Sequence, residues 1–598
     1  MCGIAGFVGP VAATLPQLDR MLGLIAHRGP DDSGSLLHDG VALGHRRLAI
    51  LDLSPAGHQP MERGPLVLSF NGEIYNYVEL REELRACGHT FASDSDSEVI
   101  LAAYQQWGEG FERRLRGMWA FALLDRFRGL LLLSRDRFGI KPLHLAWHEK
   151  TLYFASEIKP LLAVGVSSDP DLEMWADLLV TSMLDHVPDR TYFKHVSSVP
   201  PGCTLVVDIA TRHKTLRPYY VLKDVVEGQT STPEAYEAAL QESIRIHLRS
   251  DVPVGVCLSG GLDSSTIAAL ASPIYRAENG SPILAITARS HDHRDEGAYA
   301  EKVVQSLGLD WHQVMPHDED FIALARCMVE IQEQPMGSTS AIMEQMVMRG
   351  ASERGLKVLL DGQGADETML GYERYYTYAL SQWFRQGRWS QAAKEAWLAV
   401  RHSRLSARSL FLYYLYFQVP GVRSRVLANR SGVVHAEVVG DALARLERVV
   451  QHQGVHGMQL SQVTSVQLPH QLRCSDRNAM ALSIETRVPY VDHRVVEEAI
   501  KMPVGFKIKD GYTKYALRLV SDKLLPPEIT WRRNKVGFEA PVDYWNREVR
   551  AFLSEQWASS RMARELFSIA SPDSLSGAMS YAALEMLLWE ERFMRSSA

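Results

Sequence analysis

Val254-Gly255-Val256-Cys257-Leu258 runs without a break into Ser259-Gly260-Gly261-Leu262-Asp263-Ser264-Ser265 and then into the helical run Thr266 to Ala271. This order reads as a buried strand, a small-residue loop and a helix. Glycines in such a loop let backbone N–H groups approach a pyrophosphate closely, while the helix N-terminus adds partial positive charge and serine hydroxyls donate further hydrogen bonds. Asp263 would repel phosphate unless it held a metal, so it reads as a Mg²⁺ ligand that bridges to phosphate oxygens. The loop lacks the G-x-x-x-x-G-K spacing of a Walker motif. The plainer alternative is a tight strand-to-helix turn with no ligand.

Downstream of Val252 the strand, turn and helix pattern repeats, as in a doubly wound parallel sheet. A second apolar strand, Leu356 to Leu360, ends in Asp361-Gly362-Gln363-Gly364-Ala365-Asp366-Glu367. Carboxylates at the carboxyl end of a parallel strand face the ligand crevice. Asp366 is therefore the second expected Mg²⁺ contact, and Asp361 with Gly362 is expected to line the nucleotide or acceptor site. A solvated acidic turn is the alternative, and the interspersed glycines, which permit close backbone approach, weigh against it.

Before about residue 210 the chain has another character. Short β-rich runs dominate (Val41 to Leu43, Leu66 to Phe70, Trp119 to Asp125, Leu130 to Ser134, Leu152 to Ala155), with helical patterns at Tyr77 to Cys87 and Ser97 to Trp107. The polar stretch from Glu227 to Pro233 reads as a linker whose Thr-Pro opens a helix. The expected organisation is an α+β domain over 2–210, a linker over 211–232, an α/β domain over 233–545 with a helical insertion at about 373–467, and a helical tail over 546–598.

The 598 residues exceed what one core organises, and 64 Lys+Arg against 71 Asp+Glu leave a formal charge of -7. That balance offers no global attraction to nucleic acid or to an anionic membrane, so small molecules are the expected partners. Six scattered cysteines (Cys2, Cys87, Cys203, Cys257, Cys327, Cys474), with no C-x-x-C pair, suit a reduced cytoplasmic protein. The start lacks a basic region ahead of an apolar run, and no segment has the eighteen or so apolar residues of a membrane span, so neither export signal nor anchor is expected.

Met1-Cys2-Gly3-Ile4 carries the second chemical signal. Removal of Met1 would leave one residue bearing both a thiol and an α-amine. That amine, with a reference pKa of about 7.7 to 8.0, can take the thiol's proton and leave Cys2 ready to attack an amide carbonyl.

Together these motifs resemble the glutamine-hydrolysing asparagine synthetases, from Cys2 to about residue 545. The amino-terminal resemblance rests on Met1-Cys2-Gly3-Ile4-Ala5-Gly6, His27-Arg28-Gly29-Pro30-Asp31, His45-Arg46-Arg47-Leu48-Ala49-Ile50, Phe70-Asn71-Gly72-Glu73-Ile74-Tyr75-Asn76, Ser95-Asp96-Ser97-Glu98 and Arg135-Asp136-Arg137-Phe138-Gly139. It implies an N-terminal-nucleophile glutaminase (class II glutamine amidotransferase) with an αββα sandwich. The Ser-Gly-Gly-x-Asp-Ser-Ser loop resembles that of ATP pyrophosphatases. The segments from Leu472 to Ala481, from Ile484 to Asp492 and from Trp531 to Phe538 match the family's synthetase core and its late basic loop.

By this resemblance Cys2 is the nucleophile, Asn71 and Gly72 form the oxyanion hole, Arg47 forks onto the glutamine α-carboxylate, and Glu73 and Asp96 receive its α-ammonium. Leu258, Ser259, Gly260, Gly261, Asp263, Ser264, Ser265, Asp361 and Gly362 are implied to bind ATP, with Asp263 and Asp366 on Mg²⁺. Lys535 is implied to face the phosphates and neutralise charge as pyrophosphate leaves. Each residue taken alone has an ordinary reading; a lone Arg, Asp or Lys is usually a solvated surface charge, and Asn-Gly is usually a hairpin turn.

The implied reaction is glutamine- and ATP-dependent amidation of a small carboxylate through an acyl-adenylate. Ammonia passes internally, and glutamate, AMP and pyrophosphate are released. Aspartate is the first acceptor, and a homodimer is one possible assembly. Aspartate-using relatives read Ser-Gly-Glu-Gly-Ser-Asp-Glu where this chain has Asp361 and Gln363, and Thr-Thr-Ile-Arg where it has Pro335-Met336-Gly337-Ser338-Thr339-Ser340. Gln363 cannot act as a base, and the Arg is missing. Another carboxylate, from cell-wall or secondary-metabolite synthesis, is therefore the alternative acceptor. An amide-cyclising enzyme of the β-lactam synthetase or lasso cyclase type is a further alternative, against which the intact glutamine-handling set argues; a non-catalytic scaffold is the remaining one. The aromatic helices after Tyr372, with Phe411, Tyr413, Tyr414, Tyr416 and Phe417, read as a helical subdomain or as a lid for a larger acceptor.

Overall fold

A computed structural model of the chain describes residues 2–10, 14–289, 295–315, 321–403, 405–449, 454–533, 542–575 and 577–595. The amino-terminal part forms two six-stranded antiparallel sheets. Strands β1 (Gly3–Val8), β2 (Asp32–His38), β3 (Val41–Arg47), β4 (Met61–Arg63), β5 (Leu66–Ile74), β6 (Gly117–Asp125), β7 (Leu130–Arg135), β8 (His144–His148), β9 (Thr151–Ala155), β10 (Ser197–Ser198), β11 (Cys203–Asp208) and β12 (Lys214–Pro218) are arranged as β10-β8-β9-β1-β3-β2 and β12-β11-β7-β6-β5-β4. The sheets bury Ile4, Val8, Leu43, Val67, Leu133 and Phe154 between them.

Helix Leu15–Leu24 covers the outer face of the first sheet, packing Leu18 and Met21 with Ala5 and Phe7. Helices Tyr77–Ala86 and Asp96–Trp107 cover the second, with Leu80, Leu84, Val99 and Ala103 turned inward. This is the expected αββα sandwich, whose central strands are apolar on both faces because each sheet is covered on both.

Asn71-Gly72 makes no turn here. Both residues lie inside β5, where Asn71 pairs with Ala120 and Gly72 with Trp119. Tertiary pairing along nine residues overrides the local turn preference.

The carboxy-terminal part is built on a five-stranded parallel sheet, in which β13 (Val254–Cys257), β14 (Leu284–Ala288), β15 (Asp310–Val314), β16 (Val358–Leu360) and β17 (Glu485–Arg487) are ordered β15-β14-β13-β16-β17. Helices Leu262–Asn279 and Gly297–Leu307 pack one face through Ile267, Ala268, Ala300 and Val303. Helix Ser340–Glu353 packs the other through Met343 and Val347. The order reverses between β13 and β16, which opens a crevice at their carboxyl ends. Both motif loops, 258–265 and 361–367, leave from that point.

Most of the 373–467 stretch is helical, from Tyr375–Arg385 to Val455–Ser461. Its helix Ala436–Val449 reaches back to the first part, where Arg445 pairs with buried Asp177 at 2.8 Å. The late helix Ala578–Glu590 is buried almost throughout and sets Trp589 against Trp175 with ring centroids 5.5 Å apart. No helix among the described residues is long and apolar enough to cross a membrane.

Candidate active sites

Strand β1 delivers Cys2 to the end of the first sheet, 7% exposed, beside the end of β5. The Cys2 backbone N–H donates to Asn71 Oδ1 at 3.1 Å. Asn71 is fully buried, and with its oxygen so used its Nδ2 has no hydrogen-bond partner. A buried amide donor without an acceptor suits an oxygen brought by a ligand. Next to it, a Cβ at Gly72 would lie 2.1 Å from the Met118 carbonyl oxygen, so only glycine fits this approach. Burial pushes the Cys2 thiol up, opposed by the Leu48 backbone N–H and by Arg47.

Cys2, Arg47, Gly72, Glu73 and Asp96 line one pocket. Arg47 is held by carbonyls of the following turn, at 3.1 Å to Ser54, 3.4 Å to Leu51, and also to Asp52. At Gly57 a Cβ would sit 2.0 Å from Arg47 Nη2, so glycine makes room for the guanidinium. Asp96 opens its helix and accepts from the Ile74 N–H at 2.8 Å. Glu73 lies 3.5 Å from Arg487 of the second part through Oε2, while its buried Oε1 has no hydrogen-bond partner.

Burial raises both carboxyls, Asp96 to about 6 and Glu73 well above the ordinary range, the latter also because Asp96 faces it. A closed pocket holding two such acids favours a cationic ligand group. In the role expected from the sequence, Asp96 pairs with an α-ammonium only when ionised, so on that expectation its protonation as pH falls through about 6 should weaken glutamine capture. By the same expectation the Cys2 amine alone lowers kcat/KM for glutamine about tenfold per pH unit below about 8, and we expect the fall to steepen to about a hundredfold per unit below about 6, with ATP–pyrophosphate exchange as the control. A slope that stays near tenfold per unit down to pH 5 would contradict this role for Asp96.

At the second site a cavity of about 690 Å³ is lined by Leu258, Ser259, Gly261, Asp263, Ser264, Asp361, Gly362, Gln363 and Asp366, among others. Gly260 has φ +73°, and a Cβ there would lie 2.5 Å from the Ala300 nitrogen. Ser259 Oγ accepts from the Gly261 N–H at 3.2 Å and lies 3.1 Å from Ser264 Oγ, which pins the loop closed. Ser265 Oγ, in the first turn of the helix, is buried without a partner.

Lys514, absent from the sequence expectations, is central to this cavity. Its Nζ lies 2.7 Å from both Asp263 carboxylate oxygens and 2.6 Å from Asp366 Oδ1. Two carboxylates converging on one cation beside a phosphate-type loop fit Mg²⁺, which takes one or two protein carboxylates and completes its shell from phosphate and water. Among the described residues no cluster of three or more His, Cys, Asp or Glu exists that could hold a metal without such help. Lys535 lies outside the described residues, and the neighbouring basic residues Arg532 and Arg533 line the cavity.

The segment that replaces the missing arginine is held from three sides, one of them Arg473, which donates to the Pro335 carbonyl at 2.6 Å. The Met336 and Gly337 N–H groups donate to Glu585 of the late helix at 2.9 and 3.0 Å. His470 donates through Nε2 to the Met336 carbonyl at 2.9 Å and through Nδ1 to Asp185 at 3.0 Å. Against the downward pull of burial and of the Arg473 guanidinium, Cys474 and Asp185 raise His470 to about 10, which favours the imidazolium, and it lines the cavity with Ser338 and Ser340. Tyr372, Glu373, Tyr376 and His402 extend that wall from the helical insertion, whereas Phe411 and Tyr413 of the same insertion are exposed.

Helix Leu468–Met480 separates the two sites and touches both. Asp476 accepts from Arg28 at 2.9 Å and from Lys141 at 3.3 Å, and Arg28 Nε in turn donates to the Cys2 carbonyl at 3.2 Å. On the other side Ser475 donates to Asp361 at 3.4 Å. The Asp361 N–H also donates to the Arg487 carbonyl at 2.8 Å, and the Arg487 side chain lies against Glu73. The sequence set Cys2, Arg47, Gly72, Glu73 and Asp96 is thus brought together in one pocket, with Asn71 against Cys2. The loops 258–264 and 361–366 meet in the other.

Comparison with known proteins matches residues 1–220 to a glutamine amidotransferase domain and residues 235–587 to asparagine synthase. The chain is 30% identical over 605 residues to asparagine synthetase (glutamine-hydrolyzing) 1 of Bacillus subtilis (strain 168), covering 93% of this chain and 90% of the relative. It is 32% identical over 610 residues to a putative asparagine synthetase (glutamine-hydrolyzing) of Mycobacterium bovis, with the same coverage. Amidase chry2 of Gibberella zeae is 28% identical, covering 91% of this chain and 90% of that one.

Proposed function

The chain belongs to the glutamine-hydrolysing asparagine synthetase family, and from that premise we infer that it converts aspartate to asparagine with nitrogen from glutamine and energy from ATP. That it is a glutamine-dependent amidotransferase of this type, an ATP-using ligase, follows from the two matched domains. The observation that supports the full reading is the shared wall: helix Leu468–Met480 reaches the Cys2 carbonyl through Arg28 on one side and the Asp361 loop through Ser475 on the other.

In this reading the Cys2 α-amine, freed of Met1, takes the thiol proton, and sulfur attacks the glutamine side-chain carbonyl. Asn71 Nδ2 and the Gly72 N–H receive the oxyanion, Arg47 orients the α-carboxylate, and Glu73 and Asp96 hold the α-ammonium. The Cys2 α-ammonium passes the thiol proton to the leaving nitrogen, ammonia departs with the C–N bonding pair, and water then cleaves the γ-glutamyl thioester. Because ammonia in neutral water is mostly non-nucleophilic ammonium, transfer along the buried wall preserves its reactivity. At the second site the 259–265 loop holds ATP, the acceptor carboxylate attacks the α-phosphorus, and pyrophosphate departs to leave an acyl-adenylate. Asp263 and Asp366 would hold Mg²⁺, which when bound offsets phosphate charge, and Lys514 adds a fixed cation to the same place. Lys535 is read as a further cation toward the phosphates. His470, with Ser338 and Ser340, offers the acceptor a polar, cationic wall.

A cavity of about 690 Å³ also has room for a carboxylate larger than aspartate, and the absence of an arginine from Pro335 to Ser340 favours such an acceptor as the second reading. A screen of carboxylate-dependent ATP–pyrophosphate exchange separates the two. Aspartate-dependent exchange, followed by asparagine formation from glutamine, is expected. Exchange with another carboxylate but not with aspartate would establish the second reading.

A further inference from the structure

Amide formation at the second site requires a proton acceptor, because ammonia carries one hydrogen too many once its nitrogen has bonded to the acyl carbon. The loop at the end of β16 offers Gln363, a neutral amide that cannot take the proton. Among the described residues six carboxyls line the cavity; Asp263 and Asp366 are held by Lys514, Glu296 pairs with Arg532, Glu373 stands on the outer wall, and two, Asp361 and Glu344, lie at the end of β16. Asp361 begins that loop, and Glu344 projects from helix Ser340–Glu353, which follows the acceptor segment.

Their partners leave one oxygen free. Asn478 Nδ2 donates to Glu344 Oε2 at 3.0 Å, and Ser475 Oγ donates to Asp361 Oδ2 at 3.4 Å. Glu344 Oε1 is buried and has no hydrogen-bond partner. Both donors sit on helix Leu468–Met480, whose next residue, Asp476, reaches the Cys2 carbonyl through Arg28. On its other side the pair adjoins the phosphate loop, since a Cβ built at Gly362 would come within 3.3 Å of the Ser264 nitrogen. The carboxyls therefore stand between the wall through which ammonia arrives and the loop where the adenylate would form.

We propose that the carboxyl pair Glu344 and Asp361 is the proton acceptor for amide formation, with Glu344 Oε1 meeting the incoming nitrogen. The nitrogen lone pair forms the C–N bond while the carbonyl π pair moves onto oxygen. One N–H proton passes to Glu344 Oε1. The oxygen pair then re-forms the carbonyl as the C–O bond to AMP breaks, and AMP leaves with that bonding pair. Burial raises both carboxyls, and the charge of Asp361 raises Glu344 further, which favours a base strong enough to hold the proton until AMP has gone. Cys257, Ser475, His470 and Asn478 are the other polar or titratable groups nearby.

This assignment rests on acyl-adenylate chemistry, and its test keeps the two claims apart. Wild-type enzyme and Glu344→Gln are compared in ATP–pyrophosphate exchange, then in amide formation from ammonium chloride and in hydroxamate formation from hydroxylamine. The carboxylate is L-aspartate, or, if aspartate gives no exchange, whichever acid does. Failure of aspartate alone overturns the acceptor and not the base. Glu344→Gln should lose about 10²-fold or more in ammonia-dependent amide formation. Exchange should fall by less than about threefold, which also reports correct folding. Hydroxylamine, whose adduct loses its proton more readily, should restore most of the turnover. Parallel loss of exchange and amide formation would mean that Glu344 binds the acceptor instead, and unchanged ammonia-dependent turnover would exclude it as the base. No exchange with any acid in the wild type would overturn the adenylate reading and this proposal with it.

Discussion

Cys2→Ala is expected to lower glutamine-dependent amide formation by about four orders of magnitude or more while leaving synthesis from ammonium chloride within about twofold of wild type. The size follows from the place of the sulfur in the reaction. Among the described residues no other nucleophile lines the glutamine pocket, apart from the hydroxyls of Ser95 and Ser97, which have no adjacent base of the α-amine type. The separation of the two activities follows from distance in the fold. Cys2 meets the synthetase part through its backbone carbonyl, which Arg28 grips whether or not the thiol is present. The measurement is steady-state amide formation with each nitrogen source. Equal loss of both activities would contradict a division of labour between two sites.

Lys514→Met is the second substitution with a large expected effect, and it should spare the first site. It leaves Asp263 and Asp366 facing each other without the ammonium that lies within 2.7 Å of both. Removing one member of a buried ionic group costs about 3–5 kcal/mol, so a lowered Tm is expected. Loss of a fixed cation from the phosphate end should reduce ATP–pyrophosphate exchange by about 10²- to 10³-fold. Glutaminase turnover with Cys2 in place should persist. Arginine is a poor replacement, because a Cβ at Gly371 would already lie 2.1 Å from Lys514 Cε and the bulkier guanidinium has no room. Exchange that survives Lys514→Met would show that the cation only braces the two loops.

The strands and helices were legible in the sequence where periodicity is strong. Leu66 to Phe70, Trp119 to Asp125 and Leu130 to Ser134 all fall within observed strands, and the helical pattern at Ser97 to Trp107 lies in helix Asp96–Trp107. Local reading fell short where pairing decided the outcome. β5 continues through Asn71-Gly72 to Ile74 because β6 runs beside it for nine residues. The motif residues around Cys2 and in the 258–265 loop could be found because each motif is continuous in the chain. Lys514 could not, since it meets Asp263 across 251 residues and stands in no continuous motif. Glu344 likewise gave no signal, being one of several polar residues on a mixed helix and part of no motif, and Glu585 was hidden in what reads as a terminal tail.

The amino-acid sequence by itself determined the family, the two chemistries and their order along the chain. The Cys2 segment and the 259–265 loop are local devices, and their residue types, taken with the order of the other motifs, carry the expectation of a nucleophile and a phosphate loop. Tertiary structure alone decided what joins them. The ion group of Lys514 with Asp263 and Asp366, the grip of Arg28 on Cys2 and Asp476, and the carboxyl pair of Glu344 and Asp361 are all contacts between distant segments. Their energies come from burial and from the position of one charge relative to another, quantities that exist only once the sheets have packed.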